Sequence, residues 1–171
     1  MAVAVGEALA SHGIRAVLTG GACAGIYSRG LFSSQDVDFV LEGRVDLSHL
    51  DAVMASLGFA REGDRYVHPE STIWVEFPRG PLGVGTDLAI HPVPLRSAGR
   101  TTLALSATDS CRDRLAAFYH WSDRQSLAAA VEIAHLNEVD LTRIRRWSQA
   151  EGHAARCEEF ERELERRKRS R

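Results

Sequence analysis

The feature that most constrains this chain is an apolar run that ends in two glycines and is followed, fourteen residues later, by two acids in an apolar strand. Residues 14–18 lead through Thr19 into Gly20-Gly21, and Asp36-Val37-Asp38 follows. The glycines predict a strand that turns sharply into a helix, whose free N–H groups and dipole favour a phosphate. Residues 36 and 38 of a strand point to the same face, about 7 Å apart. Their carboxylates would repel each other unless a cation lay between them.

A third acid, Glu76, lies between Val75 and Phe77 in another apolar segment. Three acids from two strands beside a Gly-Gly turn are typical of a two-metal site for phosphoryl transfer, and Mg²⁺ is the hard cation that carboxylates prefer. Asp87, which opens a later alternating segment, is the rival for the third carboxylate. Each element alone has a plain structural explanation, because glycines form turns and single acids cap them. The ordered combination favours a nucleotide or metal site.

Apolar periodicity predicts an α/β fold, a small mixed β-sheet with flanking helices, followed by a helical C-terminal half. The α/β core spans residues 1–107, and the helical region, 108–171, is expected to pack on the same domain. Helices are predicted at 2–12, 22–28, 47–57, from 108–109 to 136 with a break near 121–123, from 140, and at 158–171. Strands are predicted at 14–18, 37–41, 66–68, 73–77, 87–91 and 101–105.

Composition excludes several classes of protein. The formal net charge of -2 argues against a generally basic nucleic-acid coat. Three widely spaced cysteines form neither a disulfide framework nor a zinc pattern. The first residues carry no basic segment and no long apolar run, so we expect no signal peptide, no membrane contact and a cytoplasmic location.

With Gly20-Gly21, Asp36-Val37-Asp38 and Glu76 in this order, the chain resembles the nucleotidyltransferase fold of the DNA polymerase β superfamily. It looks most like the small AbiEii-like and minimal nucleotidyltransferases of prokaryotes. Residues 109–127 also resemble a helical stretch of that group, and the likeness covers roughly residues 14–135.

The resemblance implies roles for individual residues. Gly20 and Gly21 would hold the β- and γ-phosphates of an NTP, and Arg114, or alternatively Arg112, would contact phosphate from a helix. Glu76 would also help to activate the acceptor hydroxyl. Two Mg²⁺ ions, for which Mn²⁺ can substitute, would be held by three carboxylates: Asp36, Asp38 and Glu76.

The expected activity is Mg²⁺-dependent transfer of a nucleoside monophosphate from an NTP to a hydroxyl of RNA (such as a tRNA end), a protein or a small molecule, with a toxin–antitoxin role in view. The chain departs from the family pattern in a long spacing between Gly21 and Asp36, in glycine at 21 where many active members have serine, and in lacking a helix lysine. The missing lysine motivates an alternative, a catalytically inactive binding module or partner subunit. A homodimer and an antitoxin-type protein partner both stay open.

Overall fold

The computed structural model describes residues 1–170 of the chain. It contains seven helices and seven strands in these residues. The helices are α1 (Ala2–Ser11), α2 (Gly20–Tyr27), α3 (Leu47–Ser56), α4 (Ala107–Trp121), α5 (Arg124–Leu136), α6 (Leu141–Ala150) and α7 (Ala154–Arg169). The strands are β1 (Ala16–Thr19), β2 (Asp36–Leu41), β3 (Ala60–Glu62), β4 (Arg65–Val67), β5 (Trp74–Glu76), β6 (Val93–Ser97) and β7 (Arg100–Ala104). No helix in this part of the chain is both long and apolar enough to span a membrane.

The strands form one mixed sheet in the order β3-β4-β5-β2-β1-β7-β6. At its centre β2 is antiparallel to β1 and parallel to β5. Val37, Phe39 and Val75 are buried, whereas the residues next to them in these two strands are half-buried at four positions: Asp36, Asp38, Trp74 and Glu76. Because side chains alternate along a strand, burying the apolar set commits the acidic set to the opposite face.

The helical half packs against the sheet domain through α2, which contacts both α4 and α5. Cys23 and Ala24 of α2 are buried with Cys111 and Leu115 of α4 in the continuous hydrophobic core. The helix that follows the Gly-Gly turn is therefore held between the sheet and the C-terminal helices.

The predicted mixed sheet and helical second half are confirmed, but two local predictions were wrong. Residues 87–91 form no strand; only an isolated bridge joins Val84 to Asp87. The Asp87 carboxylate accepts hydrogen bonds from the Arg112 guanidinium and the Ala89 N–H, which bends the backbone away from a ladder. In addition, Ser106 caps α4 by accepting from the Asp109 N–H, so the helix begins at 107 rather than after 108–109.

A buried cluster of charges joins the loop after β5 to the helical half. Arg112 is completely buried, donates to Asp109 at 2.7 Å and to Asp87 at 2.6 Å, and lies 4.9 Å from the centroid of the Trp147 ring. Arg143 adds a second cation 3.1 Å from Asp109. Such ion pairs fix the relative positions of the segments that they join, because loss of one partner leaves the other charge buried and unpaired.

Replacing Arg112 by methionine should lower the free energy of unfolding by about 3–5 kcal/mol, because Asp109 is then left buried with a weaker partner. Urea denaturation followed by circular dichroism measures this change. The matched control is Arg100→Met, which breaks an exposed pair with Glu7 and should change stability by less than about 1 kcal/mol. Equal effects of the two substitutions would contradict a structural role for the cluster.

Candidate active site

The Gly-Gly turn touches the acidic strand directly. Thr19 ends β1, and α2 begins at Gly20, whose φ is +65°. A Cβ atom on Gly20 would lie 2.2 Å from Asp38 Oδ2. Both the left-handed backbone and the lack of space therefore require glycine here. The first residue of α2 can approach the Asp38 carboxylate only because it carries no side chain.

The second glycine makes room for a serine from the loop before β2. A Cβ atom on Gly21 would lie 2.7 Å from Ser34 Oγ and 3.9 Å from Arg114 Nη1. The Ser34 hydroxyl donates a hydrogen bond to Asp36 Oδ1. The Ser34 hydroxyl and the Arg114 guanidinium thus each lie within 4 Å of the position that a Cβ atom on Gly21 would occupy.

The strand register brings the three predicted carboxylates together. On the parallel strands β2 and β5, Asp38 is the register partner of Glu76, and Asp36 is the partner of Trp74. One carboxylate oxygen from each acid lies within 4.8 Å of those of the other two, and all three residues are half-buried: Asp36, Asp38 and Glu76.

This arrangement is electrostatically unfavourable without a cation. Burial raises the pKa of Asp38 to about 6, and the neighbouring carboxylates of Asp36 and Glu76 act in the same direction. Asp113 adds a smaller repulsion, and Arg114 opposes it. A cluster of hard oxygen donors with surplus negative charge fits a divalent cation such as Mg²⁺ or Mn²⁺.

Arg114 reaches the site from α4, whereas Arg112 does not. The Arg114 guanidinium borders a cavity of about 150 Å³ together with Gly21, Ser34 and Gln125. It also donates to the Asp113 carboxylate at 2.7 and 3.1 Å. Arg112, the less supported alternative, is buried in the charge cluster described above and contributes nothing to this cavity.

Glu76, and not its rival Asp87, joins the two aspartates in the structure. The hydrogen bond from Arg112 keeps the pKa of Asp87 below its ordinary value, so this carboxylate stays ionised within the charge cluster. The structure thus places Glu76, and not Asp87, beside the two aspartates, while the catalytic and binding roles of these residues stay predictions.

Two residues that contact the acids were not predicted from the sequence. Ser34 donates to Asp36, and the indole N–H of Trp74 donates to Glu76 Oε1 at 2.6 Å. Each stands two positions before the acid that it contacts. Because side chains two apart in extended backbone share a face, this spacing is the signal that could have identified them.

Comparison with known proteins supports the fold. No protein-family model and no curated protein matches the chain. A similar solved structure is that of an antigenic nucleotidyltransferase-like protein from Paracoccidioides brasiliensis, with 19% sequence identity and a TM-score of 0.54. The match covers 77% of this chain and 72% of that one. The chain therefore has a nucleotidyltransferase-like fold, while its likeness to the AbiEii-like branch stays a prediction.

The raised pKa of Asp38 predicts a pH-dependent loss of stability in metal-free protein. The pKa of Asp38 rises from 3.8 to about 6 on folding. Its favourable contribution to the free energy of unfolding is therefore complete below pH 3.8 and disappears as the pH rises through about 6. In EDTA above that range, Asp38→Asn should therefore be more stable than the native chain. We expect about 1 kcal/mol after allowance for solvent screening, or roughly 3 °C in Tm.

Thermal unfolding of both proteins across this pH range, with and without Mg²⁺, tests the expectation. Mg²⁺ should raise the Tm of the native chain and leave Asp38→Asn almost unchanged, because ligands stabilise only the state that binds them. Asp64→Asn, in the exposed turn between β3 and β4, is the control. If the Tm values of the native chain and Asp38→Asn change with pH in parallel, the pKa of Asp38 is not raised in the folded protein.

The crowding above Gly21 generates a second prediction. Gly21→Ala should displace the Ser34 side chain from Asp36 and lower stability by about 1–3 kcal/mol through overpacking. Combining it with Ser34→Gly restores the space, so the double variant should be at least about 0.5 kcal/mol more stable than the sum of the two single changes predicts. Urea denaturation of the four proteins in this cycle gives the coupling energy. Strict additivity would mean that the two side-chain positions do not compete.

Proposed function

We propose that this protein is a divalent-metal-dependent nucleotidyltransferase that moves a nucleoside monophosphate from an NTP to a hydroxyl group. The observation that carries the proposal is the convergence of three half-buried carboxylates, Asp36, Asp38 and Glu76, beside a glycine turn. The nucleotidyltransferase-like fold supports it.

The triphosphate would bind where the turn, the loop before β2 and α4 meet. Backbone N–H groups at Gly20 and Gly21 favour anionic oxygens. Arg114 and Ser34 both line the adjoining cavity, and the Arg114 guanidinium is a planar cation suited to phosphate. Binding at this corner would place the α-phosphate next to the acidic cluster.

The three carboxylates would hold the metal ions. Divalent cations bound there would offset phosphate charge and lower the pKa of the acceptor hydroxyl. The acceptor oxygen forms a bond to the α-phosphorus as the bond to the β-phosphate oxygen breaks, and pyrophosphate leaves. The acceptor proton would pass to the Glu76 carboxylate. Most of the rate enhancement would come from positioning and charge stabilisation.

A second candidate is a non-catalytic binding module, for instance the subunit of a toxin–antitoxin pair. Glycine at 21 and the absence of lysine from α4 favour it. Under this hypothesis the chain would bind an NTP or a protein partner without transferring a nucleotide. RNA, a protein and a small molecule are all acceptors to be tested under the first hypothesis.

Calorimetric titration with each of the four NTPs, in Mg²⁺ and again in EDTA, tests the proposal. One NTP should bind only with the metal, and Asp38→Asn should weaken this binding at least 100-fold, because the metal loses a ligand. Transfer from the α-labelled NTP to RNA, protein and small-molecule fractions of a cell extract then identifies the acceptor, and Asp36→Asn and Asp38→Asn should abolish it.

Asp64→Asn is the matched control and should bind and transfer as the native chain does. Binding without transfer to any fraction would favour the binding module. If neither metal nor NTP binds the native chain, the nucleotidyltransferase proposal is wrong.

A further inference from the structure

Glu76 is flanked by an aromatic donor and by a cation on the same face of the sheet. Asp38, Glu76 and Arg65 are register partners across β2, β5 and β4. Trp74, two residues before Glu76, turns its indole N–H toward Glu76 Oε1, at 2.6 Å. The Arg65 guanidinium lies 5.2 Å from the centroid of the Trp74 ring.

Arg65 would be expected to pair with the carboxylate opposite it, but it does not. Within residues 1–170 no ion pair joins Arg65 to Glu76, and the guanidinium approaches Glu62 only at 3.9 Å. A guanidinium on Glu76 would cancel the charge that a metal ion needs. An indole N–H is a neutral donor with no acceptor capacity, so it fixes one oxygen and leaves the carboxylate charged.

The cation above the indole restrains the ring. Stacking of Arg65 on Trp74 through a cation–π contact opposes rotation of the ring about its side-chain bonds. Because the ring orientation sets the direction of the N–H, the stack also fixes the Glu76 carboxylate. Arg65 thus contacts the ring of Trp74, and the N–H of that ring contacts Glu76.

We propose that Trp74 is a positioning residue that presents Glu76 to a divalent cation, with Arg65 holding the indole in place. This inference rests on the metal-binding part of the proposed function and adds two residues to it. Outer hydrogen-bond partners of metal ligands commonly change metal affinity by about 10–100-fold when they are removed. The same range is expected for loss of the Trp74 N–H.

Tb³⁺ is a suitable probe, because it binds oxygen sites and its emission is sensitised by a nearby indole. Of the three tryptophans in the chain, Trp74 contacts a carboxylate of the site, and Trp121 is 82% exposed at the end of α4. Trp74→Phe should lose most of the sensitised emission and bind Tb³⁺ and Mg²⁺ about 10–100-fold more weakly in calorimetry. Trp121→Phe should retain both properties, and Arg65→Gln should weaken metal binding several-fold.

A second variant separates the hydrogen bond from the ring. Benzothienylalanine at position 74 keeps the size and shape of tryptophan but has sulfur in place of the N–H, so it should reproduce the loss of affinity with an unchanged Tm. If this variant binds Mg²⁺ as tightly as the native chain, the positioning role is wrong while the metal site stands. If the native chain binds neither Tb³⁺ nor Mg²⁺, both this inference and the metal-dependent function fail.

Discussion

Repulsion among three carboxylates is the unfavourable interaction that the packing of the central strands must offset. Asp36 and Asp38 stand on β2, and Glu76 is the partner of Asp38 on the adjacent parallel strand, so folding brings like charges within 4.8 Å. The opposing contribution comes from the other face of the same strands, where buried valine and phenylalanine side chains enter the core. Because side chains alternate along a strand, burial of these residues places the acids on the opposite face of the sheet. Burial of apolar surface thus offsets the repulsion among these like charges.

The surroundings of the acids show how this negative charge is preserved. Asp36 and Glu76 accept hydrogen bonds from neutral donors, the Ser34 hydroxyl and the Trp74 indole. Two cations near the acids are engaged elsewhere, Arg65 on the face of an indole and Arg114 on the carboxylate of Asp113. Neutral donors orient a carboxylate without cancelling its charge, whereas a guanidinium ion pair would compete with a metal. The carboxylates are therefore held in place while they keep their negative charge.

Much of the fold followed from local pattern, because the acidic strands and the glycine turn carry periodicity and backbone requirements that act within a few residues. Glu76 could not be separated from Asp87 in this way, since both open or interrupt alternating segments. The choice depends on Arg112, whose position is set by the packing of α4 and is invisible in local sequence. The β6–β7 hairpin was predicted only in its second strand because prolines at 92 and 94 obscure the alternation of the first. Ser34 and Trp74 were missed because a spacing of two residues indicates that two side chains share a face of a strand, but not that they form a hydrogen bond.

The two arginines of α4 illustrate how a helix outside the sheet can serve the site. Arg112 and Arg114 are two residues apart, so on a helix they point in different directions. Arg112 enters the buried charge cluster with Asp87, Asp109 and Trp147, which ties α4 to the loop that follows β5. Arg114 emerges beside Gly21 at the cavity next to the carboxylates. Since a long, flexible arginine binds phosphate well only when its base is fixed, the burial of Arg112 would help to hold the half-buried Arg114 in place for a phosphate. The helical half is thereby part of the proposed nucleotide site, although the acids themselves lie entirely on the sheet.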